Sequence, residues 1–491
     1  MNPVKFCFLV VLLFPFYVSG QTVLTLRDAV RIANDSSLSA FRYRNLYLAS
    51  YWDYRSYLAQ KKPSLTLSTT LLDYNRQLTK RYNSVLDRDE YRQQQNLYSY
   101  ANASVSQNIP FTGGSLYVDT EIGRLQNFGD DEYTQFSTVP LRIGLYQPLL
   151  GFNSFKWKRK IEPLKYEKAQ KEYIESAEVI SGIITEYFFA LLTAQNRVEM
   201  ASVNVANADT LYRIGQKRLE IATLSQEDVL TLKVNALNAR NQLASANKQL
   251  NAARFSLFSF LRLQENNTMQ LQIPDLLPEF SVDFEKAFTE AKSNNPYLLD
   301  YNQQVLESAG NMEQVKREGL MSASLVASYG LDQQNSKLPE AYKNPMDQQR
   351  AMVGVSIPII DWGKRRGQYN MAKNSFEAVK LSAEQAETDF RQTVMLAVSD
   401  FNMQRDVVIT ARETREAAQL AYKITKQRFV IGKSDVNSVA LALERQDAAN
   451  LNYLDALRLF WKYYYTVRQL TLYDFEKDKT LVRALEEELG L

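Results

Sequence analysis

Few residues in this chain could do chemistry, and what is missing narrows them further. The sequence has no histidine and one cysteine, Cys7, in 491 residues. Triads built on His or Cys are therefore excluded, and so are the usual zinc and haem sites. A catalyst would have to rely on carboxylates, Lys, Tyr or Ser, and most secreted hydrolases are not built that way. Gly432-Lys433-Ser434 ends like a phosphate-binding loop, but Gln427 stands where the first glycine is required and no strand precedes it. A glycine at a helix reversal accounts for it better. The expectation is no enzyme, no cofactor and no metal. A net charge of +3 gives no argument for nucleic acid.

Two other groups of polar residues remain. Phe152, Phe155, Lys156, Trp157, Lys158, Arg159 and Lys160 follow one alternating stretch, and Trp362, Lys364, Arg365 and Arg366 follow another. Such a cluster is either a solvated helix start or a membrane-interface belt, with aromatics at headgroup level and cations near phosphates. The belt reading is preferred, with Trp157, Lys158, Trp362 and Arg365 as its members, because each cluster stands where a strand would leave lipid. The second group surrounds two chain reversals, Ile221-Ala222-Thr223-Leu224-Ser225 and Ile431-Gly432-Lys433-Ser434. Arg218, Asp228, Arg428 and Asp435 flank them. For Asp228 the plain alternative is a helix-start carboxylate favoured by the helix dipole.

The elements that must position these residues are long. Residues 1–20 are set aside as a signal peptide, with Lys5, the apolar stretch Phe6 to Val18 and a small-residue site at Val18-Ser19-Gly20. Beyond it no apolar run reaches the length of a transmembrane helix, so any membrane crossing is expected on strands. No proline occurs from Leu164 to Ile273 or from Ile359 to Leu491. From Tyr173 to Tyr212 apolar residues recur at alternating steps of four and three, through Ala177, Ile180, Ile184 and Tyr187 onward. A second series runs from Val229 to Phe260. A sustained seven-residue period means helices packed as coiled coil. The segment Ile214 to Asp228 between the two series must reverse the chain.

Adding 210 maps Pro148 onto Pro358, Tyr212 onto Tyr422, Arg218 onto Arg428 and Val229 onto Val439. One offset over so long a stretch signals internal duplication. The first repeat is placed at 21–280, with strands 64–74 and 138–147, an inserted hairpin at 97–125, and long helices 153–220 and 225–263. The second is placed at 281–491, with strands 322–331 and 350–358 and long helices 361–431 and 435–473. The strands alternate with period two, as in Leu65, Leu67, Thr69 and Leu71. The polar stretches Asn75 to Asn96, Gln126 to Ser137 and Leu331 to Arg350 are expected as exposed loops or strand extensions. Four to six amphipathic strands are too few to close a barrel within one chain.

Taken together, the order of a strand, Gln147-Pro148-Leu149-Leu150, a long helix, then Tyr212…Arg218-Leu219…Ile221…Asp228-Val229-Leu230 resembles the TolC-like outer-membrane efflux proteins. The second copy reads Ile357-Pro358-Ile359-Ile360 and Tyr422…Arg428-Phe429-Val430-Ile431-Gly432…Val439. The resemblance covers nearly all of residues 24 to 472. It implies an α+β membrane protein, a homotrimer whose twelve-stranded outer-membrane barrel continues into a periplasmic α-helical barrel. It implies a passive exit duct working with a periplasmic adaptor (membrane fusion) protein and an inner-membrane transporter, in small-molecule efflux or in type I protein secretion. It also places adaptor docking at the helix tips and an acidic periplasmic gate near Asp228, with Ser438 and Leu441 where some members carry aspartates and Asp435 the nearby acid. Arg218 or Arg428 would pair with Asp228 if the gate is latched. A structural trimeric coiled-coil surface protein is the alternative from another class.

Overall fold

A computed structural model describes residues 23–128, 132–264, 269–274, 276–483 and 485; the expected signal peptide lies outside them. Two short helices, α1 (Leu26–Ser36) and α2 (Leu38–Ala59), lead into four strands, β2 (Ser64–Asn83), β3 (Arg88–Ile109), β4 (Gly114–Phe128) and β5 (Tyr133–Leu150). The helices α3 (Ser154–Glu220) and α4 (Gln226–Leu261) follow. After them come α5 (Phe284–Asn294), α6 (Pro296–Glu318), strands β7 (Ser322–Asn335) and β8 (Met346–Ser356), and the helices α7 (Lys364–Val430) and α8 (Val436–Thr471). Both α3 and α7 have 67 residues, and both α4 and α8 have 36. Two-residue strands complete the chain: β1 (Val23–Leu24) pairs in parallel with β6 (Gln270–Leu271), and β9 (Tyr473–Asp474) pairs antiparallel with β10 (Lys479–Thr480).

The residues group into two compact units. One holds the chain through Tyr43, Ile174–Ala291 and Val394–Arg483; the other holds Arg44–Tyr173 and Lys292–Thr393. In the first, the heptad positions Ile180, Ile184 and Leu191 are buried with Leu257, Leu261, Tyr453 and Phe460. Burying an apolar side chain of this size contributes about 1.5–3 kcal/mol, so this seam is the unit's main source of stability. One window of 18 residues within α3 is apolar enough to pass for a membrane span, against the expectation from sequence. More than half of it, 56%, is buried against neighbouring helices, which makes it core. In the second unit a tyrosine ladder replaces aliphatic packing. Tyr47 and Tyr54 of α2 stack on Tyr166 and Tyr173 of α3, with Tyr54 and Tyr166 only 4.7 Å apart and nearly parallel.

The second unit's sheet has six strands in the order β2-β3-β4-β5-β7-β8, all neighbours antiparallel. Its register puts like residues in rows. Leu65, Val105, Val118, Ile143 and Tyr329 face one another across five strands, while the adjoining row reads Thr66, Ser104, Asp119, Arg142, Gly330 and Gln348. Because side chains alternate between faces, one face is apolar and the other polar. Of the two expectations for the polar stretches, strand extension describes the first: β2 runs to Asn83 and β3 begins at Arg88, leaving a tight turn in which Asp87 takes a φ of +47°. There the strands continue as a polar ribbon, which hydrogen bonds between backbones sustain without an apolar face. In Leu331 to Arg350 only the two ends are strand, β7 to Asn335 and β8 from Met346, and the connection between them contains the short turn Glu340–Tyr342.

Candidate functional site

The expected site residues fall at two places, one in each unit. At the first reversal α3 ends and Ala222 takes a left-handed φ of +56°, so that the N–H of Thr223 donates to Arg218 O at 2.9 Å. At the second, Gly432 takes a φ of +78° and the N–H of Lys433 donates to Arg428 O at 2.8 Å. These are helix endings in which a left-handed residue lets the chain's next N–H groups reach back to the last turn. Gly432-Lys433-Ser434 is thus the second of two matching turns. Ile221 and Ile431 are both about two-thirds exposed.

Each following helix is capped by a serine–aspartate pair, in opposite order. Ser225 caps α4 and accepts from the N–H of Asp228 at 3.1 Å, while Asp228 accepts from the N–H of Ser225 at 3.3 Å and from its hydroxyl at 2.6 Å. Before α8, Asp435 is the cap: its carboxylate accepts from the N–H of Ser438 at 2.8 Å and from its hydroxyl at 2.6 Å. The Ser438 hydroxyl, followed by its N–H, holds the Asp435 carboxyl below the usual carboxylate range. Both acids are therefore helix-start carboxylates within the chain.

Arg218 does not pair with Asp228. Its guanidinium lies over the Phe429 ring, 5.5 Å from the centroid, and donates to Phe429 O and Thr223 O, each at 3.4 Å. Asp228 is engaged by Ser225, and Arg218 forms a clasp between the two reversals. Beneath it Leu211, Leu232, Tyr422, Phe429, Val436 and Val439 form one buried cluster, onto which Leu224 packs. Gly215 permits this approach, since a Cβ there would meet Leu232 Cδ1 at 2.5 Å. Arg428 and Lys433 line a shallow groove between α7 and α8 whose walls are largely Ala, Ser and Thr.

Next to the cluster lies a cleft of about 480 Å³ walled by Asn204, Asn207, Asn235, Asn238, Tyr422 and Asp447 among others. Asn204, which is nearly buried, donates to Asp447 at 2.9 Å, and Asn207 donates to the Tyr422 hydroxyl at 3.2 Å. Burial pushes the Asp447 carboxyl up, and the Asn204 hydrogen bond only partly opposes it. Sequence reading missed this cleft because its polar residues interrupt the heptads singly. A run of carboxamides at Asn204, Asn207, Asn235 and Asn238 on neighbouring helices was the available signal.

The residues expected at a membrane interface are divided. Trp157 Nε1 donates to Glu313 at 3.1 Å, and its ring covers Gly310, where a Cβ would come within 3.1 Å. Lys158 is exposed, and Trp362 is 96% exposed on a left-handed turn. Arg365 instead serves the chain: it binds Asp361 at 2.5 Å and donates to Gly319 O at 3.0 Å and Pro358 O at 3.1 Å, tying the turn before β7 to the turn after β8. Each of its three nitrogens thereby donates within the chain, and one N–H on each terminal nitrogen is left over.

Two charged clusters were not anticipated. On the sheet's polar face Asp119, 4% exposed, accepts from Arg142 Nε at 3.0 Å and from Asn102 at 2.8 Å. In the first unit Arg468 binds Glu178 through two bonds of 2.9 Å and Asp474 at 2.7 Å, fastening α8 to α3 and to β9. Burial opposes the Arg468 charge, but the two carboxylates outweigh it and raise its affinity for the proton. Among the described residues no group of His, Cys, Asp or Glu is placed to hold a metal ion.

Against known proteins, residues 288–471 match the outer membrane efflux protein family. Toxin and drug export protein A of Aggregatibacter actinomycetemcomitans is 19% identical over 292 residues, covering 59% of this chain, and the chain spans 63% of that relative's length. The fold is similar to the CmeC outer membrane channel of Campylobacter jejuni, at a TM-score of 0.67 and 12% identity over 95% of this chain and 88% of the other. It is also similar to the outer membrane protein VceC of Vibrio cholerae, at 0.64 and 12% identity over 91% and 95%. The family match thus covers residues 288–471, and over nine-tenths of its length the chain shares the fold of the outer membrane channels CmeC and VceC.

Proposed function

We propose that this chain is the passive exit duct of a tripartite small-molecule efflux pump, a homotrimer that docks through its helix tips to a periplasmic adaptor protein and, with it, to an inner-membrane transporter. The observation that carries this reading is the sheet, which has an apolar and a polar face, two open edges and no means of closing within one chain. Lipid does not tolerate open edges, so neighbouring copies must supply the missing strands. Exposed apolar residues on the helices support the same assembly. Leu230, Val234 and Leu237 on α4, and Met403, Val407, Leu420 and Ile424 on α7, form seams suited to a second copy. Selectivity then comes from charge and opening at the tips, without catalysis. Residues 21–280 and 281–491 are two structural repeats in this reading, which the matched helix lengths at an offset of 210 support.

Ile221 to Ser225 and Ile431 to Ser434 dock the adaptor, because they are exposed, carry no heptad and end the two long hairpins. Replacing Ala222 and Gly432 with tryptophan removes transport while the trimer survives extraction; transport that persists moves docking elsewhere. Asp228 and Asp435 add negative charge to the tips, three copies of each, so Asp228→Asn lowers cation preference in planar bilayers. Trp157, Lys158 and Trp362 face the headgroups. The name of the Aggregatibacter relative joins toxin and drug export, which keeps type I protein secretion as the second reading. Deleting the gene and measuring dye efflux beside protein secretion separates the two. A stable monomer in the soluble periplasmic fraction would sink both.

A further inference from the structure

The resemblance to the family implies four strands from each chain, yet this chain's sheet has six. We propose that three copies close edge to edge, β8 of one against β2 of the next, into an eighteen-stranded barrel whose polar face lines a wide water-filled passage. The proposal rests on the trimeric duct proposed above and departs from it only in the wall.

The two additional strands meet every requirement of wall strands. A tilted span needs about 9–11 residues, and β3 has 22 and β4 has 15. Their ladders run from Ser64 opposite Ser106 to Asn83 opposite Arg88 on one side and from Ser115 opposite Tyr146 to Asn127 opposite Tyr133 on the other, each interrupted by a single register shift, at Thr70–Asp73 and at Asp119–Glu121. They carry the alternation of a lipid-facing strand. Val105, Ala103 and Ala101 of β3, with Leu116, Val118 and Ile122 of β4, share the face of Leu65 and Ile143; Ser104, Asn102, Asp119 and Glu121 share the face of Arg142.

The hairpin also runs the full height of the sheet. Its turn sits at the end where the helices attach: Asn153, just before α3, donates to Pro110 O and Phe111 O at 3.2 Å, and Gln107 donates to Lys61 O, just after α2, at 2.9 Å. A loop outside the wall would not be anchored at that end.

The edges are complementary. The strand β2 leaves the helical end of the sheet, and β8 returns to it, so β8 of one copy lies antiparallel to β2 of the next, as every other pair in the sheet does. The contact is head to tail and closes as a ring. With strands about 4.8 Å apart and tilted about 40°, eighteen strands give a backbone diameter of about 36 Å, against about 24 Å for twelve.

The direct test is imaging of the purified full-length protein in lipid nanodiscs and counting wall strands. Eighteen strands with a β8–β2 seam are expected. A trimer with twelve wall strands and the hairpin displaced overturns this inference and leaves the trimeric duct standing, whereas a dimer or monomer overturns the duct as well. A second measurement needs no image. In a Cys7→Ser background, Ser104→Cys in proteoliposomes reacts with a water-soluble maleimide at least about ten-fold faster than Ala103→Cys, because lipid suppresses the thiolate. Equal rates overturn the proposal.

Discussion

Ala222 and Gly432 occupy matching positions in the two reversals, and exchanging them tests whether backbone strain distinguishes the tips. Both are left-handed, at φ of +56° and +78°. A left-handed alanine costs about 1–2 kcal/mol. Glycine avoids that but loses about 0.4–1 kcal/mol through the greater freedom of the unfolded chain. The difference, about 0.5–1 kcal/mol, is the expected gain from Ala222→Gly and the expected loss from Gly432→Ala. Contacts do not obscure the second change, since a Cβ at 432 would meet only Arg218 Nη2, at an ordinary 3.7 Å. The assay is amide hydrogen exchange at Thr223 and Lys433, whose N–H groups close the turns. Protection at Thr223 should rise about two- to five-fold and protection at Lys433 should fall by a similar factor. Shifts in the same direction, or none, would refute the reasoning.

Three further outcomes are expected. Arg468→Ala leaves the carboxylates of Glu178 and Asp474, whose side chains are 10% and 6% exposed, without their cation; it should destabilise by about 3–5 kcal/mol in thermal melts of the extracted protein, and Arg468→Lys should recover only part. Gly144→Ala puts a Cβ within 2.1 Å of the Tyr117 ring, so the extracted protein should unfold at lower temperature unless Tyr117→Ala is added. Burial holds the Asp447 carboxyl above the usual range, so the folded chain binds this proton more tightly than the unfolded one. Local stability at the cleft therefore falls as pH rises from the ordinary Asp range through the raised value, and Asp447→Asn should flatten that dependence in exchange protection around Asn204.

Much of this architecture was legible in the sequence because periodicity is a local property. The heptad series Tyr173–Tyr212 and Val229–Phe260 lie wholly within α3 and α4, and the apolar alternation at Leu65–Leu71 lies within β2. What escaped depends on register between strands and helices. Asp119 and Arg142 meet only because β4 and β5 pair in one alignment, and Arg468 finds Glu178 across 290 residues. For the polar ribbon from Arg76 to Gln95 the sequence left loop and strand extension open, because alternation shows only where one face is apolar. The Arg218 clasp depends on two hairpins packing side by side, which no single reversal encodes.

The central claim is that this chain conducts passively across a membrane. Single-channel recording of the purified, detergent-extracted protein in planar lipid bilayers tests it most directly. Discrete current steps are expected that scale with salt concentration, need no nucleotide or proton gradient, and grow larger when Arg218→Ala releases the clasp on Phe429. A well-folded protein that inserts yet passes no current, with the clasp intact or released, would contradict the account.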